Sequence, residues 1–355
     1  MQNKKRMLLT ALLVSGLMLT GSTMTSAVAK VTPLGADYVK PTNTTITLDA
    51  ATANLKDKAP SKTIEVKIKD PKIQQISNVI YEQVPKRGFP NVAMPMDILQ
   101  PQVKEKLPAI VFVTGGGFVN ANKDNDIQLR MHLAEAGYVV ASIEYRVAPQ
   151  ARFPQPLEDV KAAVRFLKAH ADQFGIDPNH VGVVGGSAGG YLSAFMGTSS
   201  GTTQFDKGDN LNVTSDIQAA VDLYGLSDLS QVGSDYSKEN QQGHASAGAT
   251  EALWVNGSPV FGGVDGGVLA HPENVKAANP ITYISKTSAP TLFMHGTADT
   301  TVSPSQTDLV YQALHKAGIP TERYLVKGAA HGGVYWEQES IFDIITNWFD
   351  KYLKK

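Results

Sequence analysis

Three side chains far apart in this sequence are of the types that together move an acyl group: Ser187, Asp299 and His331. Ser187 lies in Gly185-Gly186-Ser187-Ala188-Gly189, which fits G-x-S-x-G, a turn whose outer glycines let the backbone bend sharply enough to hold a serine hydroxyl clear of a sheet. Such a hydroxyl becomes a nucleophile when a base takes its proton, an acid holds that base in one tautomer, and donors wait for the oxyanion. Among 8 histidines, His331 is the best placed as base, since it lies late in the chain in a loop flanked by glycines. His295 is expected to shape the loop that carries Asp299. Asp299 precedes His331, so the chain order is serine, acid, histidine. Asp222 and Asp228, at or after the end of another strand, are the alternative acids.

These residues need a scaffold, and the hydrophobic pattern supplies one. Val181 to Val184 is a short β-branched run that breaks into the Ser187 turn and resumes as a helix from Tyr191, a strand, turn and helix in succession. Ala109 to Val113 is continuously apolar, as in a strand covered on both faces, and ends in Thr114-Gly115-Gly116-Gly117-Phe118. Three consecutive glycines there free backbone N–H groups to point at a bound group, or make a flexible turn. Further strands are expected at Thr63–Lys69, Ile76–Val84, Met94–Leu99, Tyr138–Ile143, Ala219–Tyr224, Thr291–His295 and Glu322–Val326, with a turn over Pro85–Pro90. Helices are expected over Asp126–Ala136, along the Leu157, Val160, Val164, Leu167 face to His170, from about Ser303 to Ala317, and around Ile341 to Phe349. Asp177-Pro178-Asn179 is turn chemistry. The alternation predicts an α/β fold, a mostly parallel central sheet with helices on both faces. From 225 to 279 the periodicity dissolves, and this stretch is expected to be a lid-like insertion over the site. Phe118, Trp254, Phe261 and Trp336 are candidate pocket aromatics.

Composition bounds the alternatives. The chain has 355 residues, 42% hydrophobic and 18% charged, the balance of a folded protein with a sizeable core. A formal net charge of −1 makes no electrostatic case for nucleic acid. Lys4-Lys5-Arg6, an apolar run from Met7 to Leu19, and small residues ending in Ala27-Val28-Ala29 form a secretory signal pattern; the apolar run is too short to span a bilayer. Export with cleavage near Ala29 and no stable membrane anchor is therefore expected. With no cysteine, there is no disulfide or reactive thiol. Residues 30–72 are expected to be an extended N-terminal extension, and 73–355 a single catalytic domain. No phosphate-binding loop or zinc helix motif occurs, and Asp124-Asn125-Asp126 is a calcium-loop fragment that reads as a solvated turn, so neither cofactor nor metal is expected.

Five motifs in order, Thr114-Gly115-Gly116-Gly117-Phe118, Tyr145-Arg146-Val147-Ala148-Pro149, Gly185-Gly186-Ser187-Ala188-Gly189-Gly190, His295-Gly296-Thr297-Ala298-Asp299 and His331-Gly332-Gly333, resemble the α/β-hydrolase superfamily. More closely they are similar to the hormone-sensitive-lipase-like carboxylesterases and related bacterial acetyl and feruloyl esterases. The resemblance runs from about Ile76 to the C-terminus. It implies Ser187 as nucleophile, Asp299 as acid, His331 as base, and an oxyanion hole from the N–H groups of Gly115, Gly116 and Ala188. The chain departs from the pattern at Thr114, where those esterases have histidine. A small-molecule or polysaccharide-linked ester is the expected substrate; a peptidase or amidase of the same fold and a non-catalytic binding protein are the other readings.

Overall fold

The computed structural model describes residue 62, residues 64–86 and residues 89–354. Residues 1–29, expected to direct export, and residues 30–61 of the expected extension lie outside the described residues. Among the described residues eight strands form one sheet: β1 (Ile73–Lys86), β2 (Phe89–Pro101), β3 (Leu107–Val113), β4 (Val139–Ile143), β5 (Ile176–Gly186), β6 (Ala219–Leu223), β7 (Thr291–Gly296) and β8 (Thr321–Val326). Their order is β1-β2-β4-β3-β5-β6-β7-β8. Only β1 with β2 and β2 with β4 run antiparallel; the other pairs are parallel.

The sheet is mostly parallel because helices return the chain between strands, and both faces are covered because consecutive residues of the central strands are apolar. In β3, Ala109, Val111 and Val113 pack on one side with α2 (Gln155–Ala169) and α3 (Ala188–Thr198), through Leu157, Val160, Leu192 and Phe195. Ile110 and Phe112 pack on the other side with α1 (Ile127–Glu135) and the last helix, Glu339–Leu353, through Leu133, Ile345 and Phe349.

Three expectations are corrected. The described part of Thr63–Lys69 is not a strand: Ile64, Val66 and Ile68 are 79%, 70% and 96% exposed, because alternation gives a segment two faces but not a neighbour to pair with. The hairpin turn is tighter than Pro85–Pro90, since β1 runs to Lys86 and β2 starts at Phe89; Pro90 and Pro95 precede the Met96–Leu99 stretch that pairs with β4, so their missing N–H groups interrupt no ladder on that side. Asp177 to Asn179 keep a local turn, the Asn179 N–H donating to Asp177 Oδ1 at 3.0 Å, but they lie within the span of β5.

The 225–279 stretch contains α4 (Lys238–Ala245), α5 (Thr250–Asn256) and α6 (Pro272–Ala277). These helices are too short to show a 3.6-residue period in sequence. Beyond this stretch lie α7 (Ser305–Lys316) and α8 (Glu339–Leu353), and a four-residue helix, Ala171–Phe174, follows α2.

Candidate active site

Ser187 stands between the end of β5 and the start of α3, with φ 56° and ψ −121°. That is an unfavourable conformation for a residue with a Cβ, held here by its surroundings. The Ser187 N–H donates to the Leu223 carbonyl at 2.8 Å, and a Cβ on either Gly185 or Gly189 would run into the carbonyl of Val113. Both outer glycines of the motif are therefore required by the closeness of β3.

The turn lifts the Ser187 hydroxyl to His331, whose Nε2 is 2.8 Å from Oγ. The other ring nitrogen, Nδ1, is 2.8 Å from Asp299 Oδ2. Asp299 follows β7 and His331 follows β8, so neighbouring parallel strands deliver acid and base to the same sheet edge. Burial alone would raise the Asp299 carboxyl, but hydrogen bonds from His295 and His331 and from the Thr301 N–H hold it well below the usual carboxylate range. An ionised carboxylate only accepts, so Nδ1 carries the proton, and in the neutral ring Nε2 is left to accept the Ser187 O–H. Thr301 and Val302 N–H groups donate to Asp299 Oδ1 at 2.9 and 3.0 Å.

His295 shapes the acid loop as expected. It is fully buried, with Nε2 3.2 Å from Asp299 Oδ2 and 3.0 Å from the Val302 carbonyl, and Nδ1 3.0 Å from Thr307 Oγ1. Both partners of Nε2 are acceptors, so that nitrogen donates and fixes the catalytic-acid candidate from behind. The Tyr224 ring lies 4.9 Å from the His331 ring, nearly edge-on, and Trp336 backs Tyr224 at 4.5 Å.

Two cavities meet at Ser187. One, ≈ 330 Å³, is bordered by Gly115, Gly116, Asp126, Tyr224 and His331. The other, ≈ 610 Å³, is bordered by Phe118, Ala188, Leu226, His244, Glu251 and Val302, so α4 and α5 contribute to its wall. The glycine loop lies against the serine turn: a Cβ on Gly115 would come within 3.3 Å of Ser187 Cβ. Thr114, which departs from the expected histidine, leaves the loop well held. Its carbonyl accepts the Tyr145 O–H at 2.9 Å and its Oγ1 accepts from Asn125 at 3.3 Å. Tyr145 is positioned in turn by Arg146, whose guanidinium and N–H both bind the fully buried Asp159 at 2.6 to 3.0 Å.

The alternative acids are elsewhere. Asp222 is buried, with Oδ1 accepting from the Gly225 N–H at 2.8 Å, and Asp228 binds Ser230, Gln231 and Asn279. Of the candidate aromatics, Phe118 borders the larger cavity, while Trp254 is wholly buried and stacks on Phe118 at 4.3 Å. Trp336 is buried behind Tyr224, and Phe261 borders a separate cavity of ≈ 640 Å³. Asp126 was not singled out for this site by sequence, because a turn aspartate carries no periodic signal. Tyr224 was likewise unmarked; its only cue is that it directly follows an apolar strand.

The BD-FAE family profile matches residues 96–314. The chain is 30% identical over 227 residues to Esterase LipC of Mycobacterium tuberculosis, covering 63% of this chain and 53% of that protein. It is 25% identical over 263 residues to isoprenylcysteine alpha-carbonyl methylesterase ICME of Arabidopsis thaliana, 71% of this chain and 58% of that one. The chain thus spans little more than half the length of these curated relatives. Among solved structures, a truncated form of a carbohydrate esterase from gut microbiota superimposes with a TM-score of 0.68 at 26% identity, covering 81% of this chain and 100% of the other. Esterase Est2 of Thermogutta terrifontis gives a TM-score of 0.60 at 23% identity, over 79% and 92%.

Proposed function

Because the chain belongs to the BD-FAE family and has the α/β-hydrolase fold, we propose that it is an exported serine carboxylesterase in which Ser187, His331 and Asp299 form the catalytic relay. The observation that carries this reading is the unbroken hydrogen-bonded line from Ser187 Oγ through both nitrogens of His331 to Asp299. Ser187 attacks the ester carbonyl carbon while His331 Nε2 takes its proton, and Asp299 stabilises the imidazolium. The oxygen anion that forms faces the N–H groups of Gly115, Gly116 and Ala188. Collapse expels the alcohol, protonated by His331; water then repeats the sequence on the acyl-enzyme and releases the acid.

Esters with a hydroxylated, carbohydrate-linked alcohol are the substrates we favour. The likeness to a carbohydrate esterase supports this, and so does the wall of the smaller cavity, which carries Asp126 beside His331. Ser187→Ala should lower kcat on p-nitrophenyl acetate by about 10⁴-fold or more with the fold intact. Turnover within tenfold of the wild type would sink the assignment. Parallel assays on the ester and amide of one acyl group decide against a peptidase if only the ester is cleaved. Export predicts a mature N-terminus near Lys30, read by mass spectrometry of the protein recovered outside the cytoplasm; an intact Met1 there counts against it.

A further inference from the structure

We propose that Asp126 is a specificity-determining residue: its carboxylate accepts a hydrogen bond from a hydroxyl of the ester's alcohol portion, next to the bond being cleaved. The proposal rests on the esterase reading and adds to it a residue that chooses the leaving group.

The argument starts from where the leaving group must go. The departing oxygen takes its proton from His331 Nε2, so it lies within hydrogen-bond reach of that atom. His331 borders the ≈ 330 Å³ cavity and not the ≈ 610 Å³ one. The alcohol therefore enters the smaller cavity, which has room for a small polar unit. Asp126 is on its wall.

Asp126 is poorly explained by a structural role. It precedes α1 at the N-cap position, where an aspartate would ordinarily accept from the first turn, yet its side chain makes no capping bond and its φ is 53°. Among the described residues its carboxylate makes no hydrogen bond, although it is half-buried. Arg130 acts on it by charge but makes no hydrogen bond to it, and its Nη2 donates to the Asp124 carbonyl at 2.8 Å. Burial raises the Asp126 carboxyl, against the opposing charge of Arg130. Glu337 is also raised, by burial and then by the charge of Asp126, and its Oε2 is buried without a partner. A half-buried acceptor with no donor, on the wall of the catalytic cavity, is satisfied by a substrate that brings the donor. Esters of polyols do so; esters of simple alkanols do not.

The test compares two acetates of equal size, 2-hydroxyethyl acetate and propyl acetate, by the ratio of their kcat/KM values. The ratio is taken within each variant, so a general loss of folded enzyme cancels. The wild type should favour the hydroxylated ester by roughly tenfold or more, the discrimination a hydrogen bond to a charged group supplies. Asp126→Gly, which suits a positive φ and removes the acceptor, should bring the ratio near one. Asp126→Asn, which keeps one acceptor oxygen but no charge, should fall between. A wild-type ratio near one, or a ratio that both variants preserve, overturns the proposal. So does an Asp126-dependent preference for acetylcholine over 2-hydroxyethyl acetate, which would assign the carboxylate to a cation. Loss of turnover on every acetate would instead sink the esterase reading beneath it.

Discussion

At Asp299 the same hydrogen bonds bear on the proposed mechanism and on stability. His331, His295 and the Thr301 and Val302 N–H groups all point at one carboxylate. Because the folded-state value is depressed, Asp299 stabilises the fold above the ordinary carboxylate range near pH 4, and the contribution is lost as pH falls through its lower folded value. Asp299→Asn should therefore reduce kcat by about 10²–10⁴-fold at pH 7. It should also lower the melting temperature at pH 7, by an amount that shrinks toward pH 3. A constant difference across that range would contradict the depressed value.

The elements meet at close quarters around the serine turn, and glycine substitutions there should differ sharply in effect. A Cβ on Gly189, in the first turn of α3, would strike the backbone of Val113 and Thr114. Backbone cannot swing aside as a side chain can, so Gly189→Ala should destabilise by about 3 kcal/mol or more. A Cβ on Gly243, within α4, would meet nothing within 4 Å, and Gly243→Ala should stabilise by roughly 0.5–1 kcal/mol through helix propensity. Thermal melts of the two variants check both signs, and a stabilised Gly189→Ala would mean the strand and helix are not packed as described. The Arg146–Asp159 pair belongs to this scale too: it ties the loop after β4 to α2 and so holds Tyr145 under the glycine loop.

Across the whole molecule, the sheet buries carboxyls outside the proposed relay, and among those on its strands Asp222 in β6 is the one with no exposure at all. Burial pushes Asp222 up to about 8, against a single Gly225 N–H that acts in the opposite sense, and its Oδ2 has no partner. Between about pH 4 and 8 the unfolded chain gives up a proton that the fold retains, so stability falls as pH rises through that window. Asp222→Asn should raise the melting temperature at pH 8 by at least about 2–4 °C, the shift that ~1 kcal/mol produces in a large domain. The gain should fade toward pH 4, and a gain of equal size at pH 4 would contradict a neutral buried carboxyl.

Strand periods, the glycine-bounded turn at Ser187 and the order of Ser187, Asp299 and His331 are local or one-dimensional properties, so the α/β class and the three side chains that the fold brings into contact were legible from residues alone. The short helices of 238–277 were not, because seven residues complete too few turns to show a period. Nor was the fate of Thr63–Lys69, whose alternation looks like a strand whether or not a neighbour offers hydrogen bonds. Chain order already favoured Asp299 over Asp222, but only the fold sets Asp299 2.8 Å from the imidazole and turns Asp222 to the Gly225 N–H instead. The unpartnered carboxylate of Asp126 emerges only in three dimensions, since a missing partner is a property of everything that packs around a residue and not of its neighbours in the chain.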